Sequence, residues 1–110
     1  MKKDNKNEEI PKDILERLKV ATDPNTSAEI LAKLADDERS EVRYAVAGNR
    51  NTPEEILEKL AKDKDEFVRY AVAKNLKAPA KVLEELLKDK NLSVREAARE
   101  NLLLRKLHKE

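Results

Sequence analysis

Apolar positions along the chain fall into two kinds of short block that alternate. In the first kind Val68, Ala71 and Val72 stand at the i, i+3, i+4 spacing that gathers side chains on one face of a helix. In the second kind Ile56, Leu57 and Leu60 follow the same rule. Each block spans about two turns, too short to be stable in water without a packing partner. The blocks recur at a fixed interval. Val42-Arg43-Tyr44-Ala45-Val46-Ala47 returns as Val68-Arg69-Tyr70-Ala71-Val72-Ala73, a shift of 26 residues, and again as Val94-Arg95-Glu96-Ala97-Ala98-Arg99. The same shift carries Ile30-Leu31-Ala32-Lys33-Leu34 onto Ile56-Leu57-Glu58-Lys59-Leu60 and then onto Val82-Leu83-Glu84-Glu85-Leu86.

This self-similarity predicts an all-α fold of about three two-helix units, over 16–41, 42–67 and 68–93, with a truncated fourth from 94. Stacking lets each unit bury its apolar face against the next, building a core layer by layer into a short solenoid. The punctuation agrees. Asp65 is a good N-cap for the first helix of its unit, and Asn75 ends it, with Asn49 and Asn101 in the same place and Asp23 in the first unit. Asparagine tolerates the left-handed conformation of a helix stop. Thr52-Pro53-Glu54-Glu55 has the form of a capping box with proline in the first turn, and Thr26-Ser27-Ala28-Glu29 repeats it. Ala78-Pro79-Ala80-Lys81 keeps only the proline, so the helix after it is expected to fray first.

The ends depart from the pattern as caps should. Pro11 to Leu18 resembles the start of a second-type helix, yet it runs directly into Val20-Ala21-Thr22-Asp23, the end of a first-type helix. A single fused helix over about 11–22 is expected, preceded by a disordered polar tail over 1–10. After Val94 no proline or glycine occurs, so a helix should pass through Asn101 to about Lys109. Leu102, Leu103, Leu104 and Leu107 would cover the last layer, and Glu96, Arg99 and Glu100 would face water.

Composition narrows the chemistry. The chain has 110 residues, 43% of them charged, with 24 Lys and Arg against 23 Asp and Glu. A formal balance of +1 does not suit a dedicated polyanion binder. There is no cysteine, one histidine and one glycine. Disulfides, thiolate nucleophiles, Cys-ligated metals and Gly-rich phosphate loops are therefore not expected, and neither is any cofactor. Without a signal-like or membrane-length apolar run, a soluble, cytoplasmic monomer is expected.

The motif Val-Arg-x-Ala-Val-Ala-x-Asn over Val42 to Asn49, then Asn51-Thr52-Pro53, Ile56 to Ala61 and Asp63, resembles the leucine-rich repeat variant family, and through it HEAT-like repeats. The resemblance covers about 11–101. It implies a right-handed superhelix of paired helices, some of them 3₁₀, and a scaffold or interaction role. A family member with an Fe–S cluster carries a Cys-rich segment that has no counterpart here.

In HEAT-like repeats an Asp and an Arg six residues apart form a ladder between units. Asp37 with Arg43, Asp63 with Arg69 and Asp89 with Arg95 have that spacing. Each guanidinium fork is expected to bridge carboxylates or helix-end carbonyls across layers. The rival reading makes Arg43, Arg69 and Arg95 a stripe that grips an acidic partner. Tyr44 and Tyr70, one unit apart, either pack between units or anchor a partner. The expected function is non-catalytic binding of a protein or charged peptide. The alternatives are a nucleic-acid module, with Arg43, Arg69, Lys74, Lys77 and Lys81 lining a phosphate groove, and a designed consensus chain with no native ligand.

Overall fold

The computed structural model describes residues 10–108. Most of the expected 1–10 tail, and Lys109 at the end of the expected last helix, lie outside them. Ile10, at the tail's end, is partly buried against the core. Among the described residues there are seven helices and no strand: α1 (Ile14–Thr22), α2 (Ala28–Leu34), α3 (Ser40–Gly48), α4 (Glu54–Leu60), α5 (Glu66–Lys74), α6 (Ala80–Leu86) and α7 (Leu92–Leu107). The odd-numbered helices pack in sequence, α1 on α3, α3 on α5 and α5 on α7. The short helices α2, α4 and α6 each lie beside their chain neighbours. The molecule extends 51 × 31 × 19 Å.

One continuous core runs through it. Leu34, Leu60 and Leu86, at equivalent places, belong to the same buried cluster as Val42, Val68 and Val94. Each fully buried Leu or Val contributes roughly 1.5–3 kcal/mol relative to exposure. That layered burial stabilises helices of seven and nine residues that would melt alone.

Several local expectations are corrected. The fused first helix forms, but starts at Ile14; Arg17 Nη1 donates to the carbonyls of Pro11 (3.2 Å) and Lys12 (2.8 Å), holding them outside the helix. The short helices are α-helical and not 3₁₀. Bonds of the 3₁₀ kind appear at both termini of these helices, as from Ile56 N–H to Pro53 O at 3.0 Å at the start of α4 and Asp63 N–H to Leu60 O at 3.1 Å after it. Asn49 and Asn75 do not adopt the left-handed conformation. Both are extended, at φ −76° and −75°.

Thr52 is not a cap either. Pro53 occupies the N-cap position of α4 without a side-chain bond, and the buried Thr52 hydroxyl donates back to Val46 O at 2.7 Å. Thr26 does the same to Val20 O at 2.7 Å, while Ser27 caps α2 by accepting from Ile30 N–H. The missing partner in the third unit is thus this back-bond. Ala78, 1% exposed, stands where Thr52 stands, and α6 is no less capped than α4. Ala78→Thr is expected to supply the bond to Val72 O and raise stability by about 0.5–1.5 kcal/mol, read as a higher urea midpoint at constant m. A lower midpoint would mean that the turn has no room for the larger side chain.

At the far end α7 runs unbroken through Asn101, with Glu96, Arg99 and Glu100 exposed as expected. Of the four leucines expected to cover the last layer only Leu102 packs on the core. Leu103, Leu104 and Leu107 are 53%, 43% and 76% exposed.

Candidate functional site

Two polar ladders join neighbouring helices, and an aromatic cleft lies beside the first of them, lined in part by Asn49 and Asn75. The first ladder was not foreseen. Asn49, Asn75 and Asn101 are buried. Asn75 Nδ2 donates to Ala47 O at 2.8 Å and Asn49 O at 3.2 Å, both in the preceding layer, while its Oδ1 accepts from Lys77 N–H at 2.8 Å. Asn49 repeats this on Ala21 O (2.8 Å) and Asp23 O (3.0 Å), and Asn101 on Ala73 O (2.8 Å) and Asn75 O (3.0 Å). The amide suits the place because it both donates and accepts. Asp23 shows the rule by exception. It still accepts from Asn25 N–H at 2.9 Å, but it is exposed at the end of α1, the first helix of the row, and has no preceding carbonyls to meet.

The second ladder has the expected residues in an unexpected pairing. Arg69 does not meet the carboxylate six residues before it; Nη1 takes the backbone carbonyl of Asp63 at 2.8 Å. Its Nε and Nη2 fork onto Asp89, 20 residues ahead, at 2.8 and 3.2 Å. Arg43 does the same with Asp37 O (2.8 Å) and the Asp63 carboxylate (2.8 and 3.2 Å). Arg17 Nε reaches Asp37 Oδ2 at 2.9 Å as an ion pair. Arg95 makes the carbonyl half of the contact, on Asp89 O at 2.8 Å. Each carboxylate is placed by a backbone N–H two residues on, Asp65 for Asp63 and Asn91 for Asp89.

Burial alone would raise the pKa of Asp63. The hydrogen bonds from Arg43 and from Asp65 N–H, with the Arg43 charge, overcome it and hold the carboxyl below its ordinary value. Asp89 is held down in the same way by Arg69 and Asn91 N–H. A carboxyl depressed in the folded state stabilises fully above its unfolded pKa, near about 3.9. That contribution disappears as pH falls through the folded value. Urea midpoints are expected to fall steeply below about pH 4, and Asp63→Asn should show a shallower slope over the same range. An equal slope in that variant would remove Asp63 from the acid response.

The third feature lies on the face of α1, α3 and α5. Tyr44 is 45% exposed, and Tyr70 is partly buried against the core. They border a cleft of about 300 Å³ whose lining includes Ala45, Gly48, Ala71 and Lys74. Lys74 Nζ lies 5.9 Å from the centre of the Tyr70 ring, within cation–π range. Phe67 stands one helical turn before Tyr70 and is 64% exposed. The sequence reading overlooked Phe67 and Gly48, although the signal was there: each is the single residue of its type in the chain.

The candidate residues therefore separate into two groups. Tyr44 and Tyr70 share the cleft, whereas Arg43 and Arg69 are committed to Asp63 and Asp89. Of the basic set expected to line a phosphate groove, Lys74 borders the tyrosine cleft and Lys81 pairs with Glu58 at 3.3 Å. Among the described residues no helix is long and apolar enough to cross a membrane.

A family model described as the Leucine Rich Repeat Variant domain matches residues 16–76, more than half of the chain. No curated protein matches the chain, and no solved structure does.

Proposed function

Because the chain belongs to the leucine-rich repeat variant family, we propose that it is a non-catalytic module that binds an extended segment of a protein through the face of α1, α3 and α5. On this reading the helices form a short right-handed solenoid of three units, 16–41, 42–67 and 68–93, ended by α1 and by the rest of α7. The observation that carries the reading is the placement of the aromatic residues. The chain has three, Tyr44, Phe67 and Tyr70. All three stand on α3 and α5, and none is buried. Tyr44 and Phe67 are exposed and Tyr70 packs only in part against the core; aromatic side chains left accessible beside a cleft are the usual anchors of recognition surfaces.

The nucleic-acid alternative has less support, since Arg43 and Arg69 are held by carboxylates and the overall charge is balanced. A random-peptide display selection on the purified chain tests the choice, with the Tyr44→Ser/Tyr70→Ser double variant as counter-target. Enrichment that the double variant loses supports the face. Enrichment that it keeps rejects the face. Salt-sensitive retention on heparin without peptide enrichment would favour the polyanion reading instead.

A further inference from the structure

Gly48 is the last residue of α3, and nothing structural calls for a glycine there. Its backbone lies outside the positive-φ region, and a Cβ built on it would meet nothing within 4 Å. The corresponding places at the ends of α1 and α5 hold Thr22 and Lys74, so the repeat accepts side chains here. Glycine in a helix costs stability relative to alanine. What it leaves is space: Gly48 is exposed and lines the cleft together with Tyr44 and Tyr70, where a side chain would take up part of the opening.

The cleft is also polar in the electrical sense. At its α3–α5 end the charged group is Lys74, which makes no ion pair among the described residues. Tyr44, Ala45 and Thr22 continue it into a second section between α1 and α3, bordered by Asp13, Glu16 and Glu41; Lys19 lies 3.7 Å from Glu16 and Arg39 3.5 Å from Glu41, so three carboxylates face two cations. One end is basic and the other acidic, with an apolar notch between them.

Resting on the protein-binding reading above, we infer that Gly48 is a specificity-determining gap for a peptide of bipolar charge. One aliphatic side chain of the partner inserts over Gly48 between the tyrosines. An acidic residue on one side of it meets Lys74, and a basic residue on the other lies toward Asp13 and Glu41. A volume of about 300 Å³ is at the small end of binding pockets, the scale of one or two side chains rather than a large ligand.

Two measurements test this. In the absence of any ligand, Gly48→Ala is expected to raise the melting temperature by roughly 2–8 °C; a fall would show that the glycine serves the fold and would overturn the inference. In the display selection, wild-type chain is expected to enrich peptides with an aliphatic residue between an acidic and a basic one. A synthetic peptide of that consensus should bind Gly48→Leu at least about ten-fold more weakly, and Lys74→Glu should exchange the preferred acidic residue for a basic one. Peptides that bind Gly48→Leu as well as wild type, yet lose binding to Tyr44→Ser/Tyr70→Ser, would sink the gap while leaving the face intact. Failure of any peptide to distinguish the double variant from wild type would sink both.

Discussion

Asn75→Asp is expected to destabilise the fold by about 3–5 kcal/mol at neutral pH, the cost of leaving a buried charge uncompensated. Asn75 is 6% exposed. An aspartate there could keep the bond from Lys77 N–H, but its second oxygen would face the carbonyls of Ala47 and Asn49, at the 2.8 and 3.2 Å now spanned by the amide. Folding would favour the protonated acid, which restores a donor, so the variant's folded pKa would lie above its unfolded one. The deficit against wild type should therefore narrow as pH is lowered. The control is Asp23→Asn, at the equivalent exposed place on α1, which should change stability by less than about 0.5 kcal/mol. Urea denaturation of both variants at two pH values makes the comparison. A mild effect of Asn75→Asp, comparable to that of Asp23→Asn, would mean that the amide ladder does not join the layers.

Arg69→Ala should cost a similar amount, about 3–5 kcal/mol, since it strands the Asp89 carboxylate where both side chains are 8% exposed. The double variant Arg69→Leu/Asp89→Asn should recover much of the loss, because it removes both charges together. A double-mutant cycle on Arg69 and Asp89 is expected to give a coupling above about 1 kcal/mol. The cycle on Asp63 and Arg69, the pair suggested by their spacing, should give little, because Arg69 binds only the backbone of Asp63. The reverse ranking would contradict the 20-residue pairing.

The contrast between these two cycles shows what the chain's sequence discloses and what it withholds. Recurrence of Val42, Val68 and Val94, and of Leu34, Leu60 and Leu86, is enough to place the helices and the core, because apolar periodicity and burial are the same signal. Which carboxylate an arginine reaches depends on how two layers superpose, and no local spacing contains that. Thr52 misled for a related reason. It satisfies the pattern of a capping box, but Pro53 takes the cap position and turns the hydroxyl back to α3. The asparagines were visible as a column, with Asp23 the exception at its head. Their role depends on the carbonyls of the preceding helix lying within reach, which is a property of the packing and not of the column. Tyr44 and Tyr70 were legible as neighbours on one face. The cleft they border was not, since its lining comes from two neighbouring helices whose packing no local spacing contains.

If equivalent layers are joined by these two ladders and by a shared core, the unit can be multiplied. Duplicating residues 42–67 in place adds an amide step, an Arg–Asp step and one more layer of buried leucine and valine. The direct measurement is thermal unfolding of the lengthened chain followed by its helical signal. A single cooperative transition at higher temperature than wild type is predicted. An unchanged or lower melting temperature, or a second transition belonging to the added segment, would contradict it.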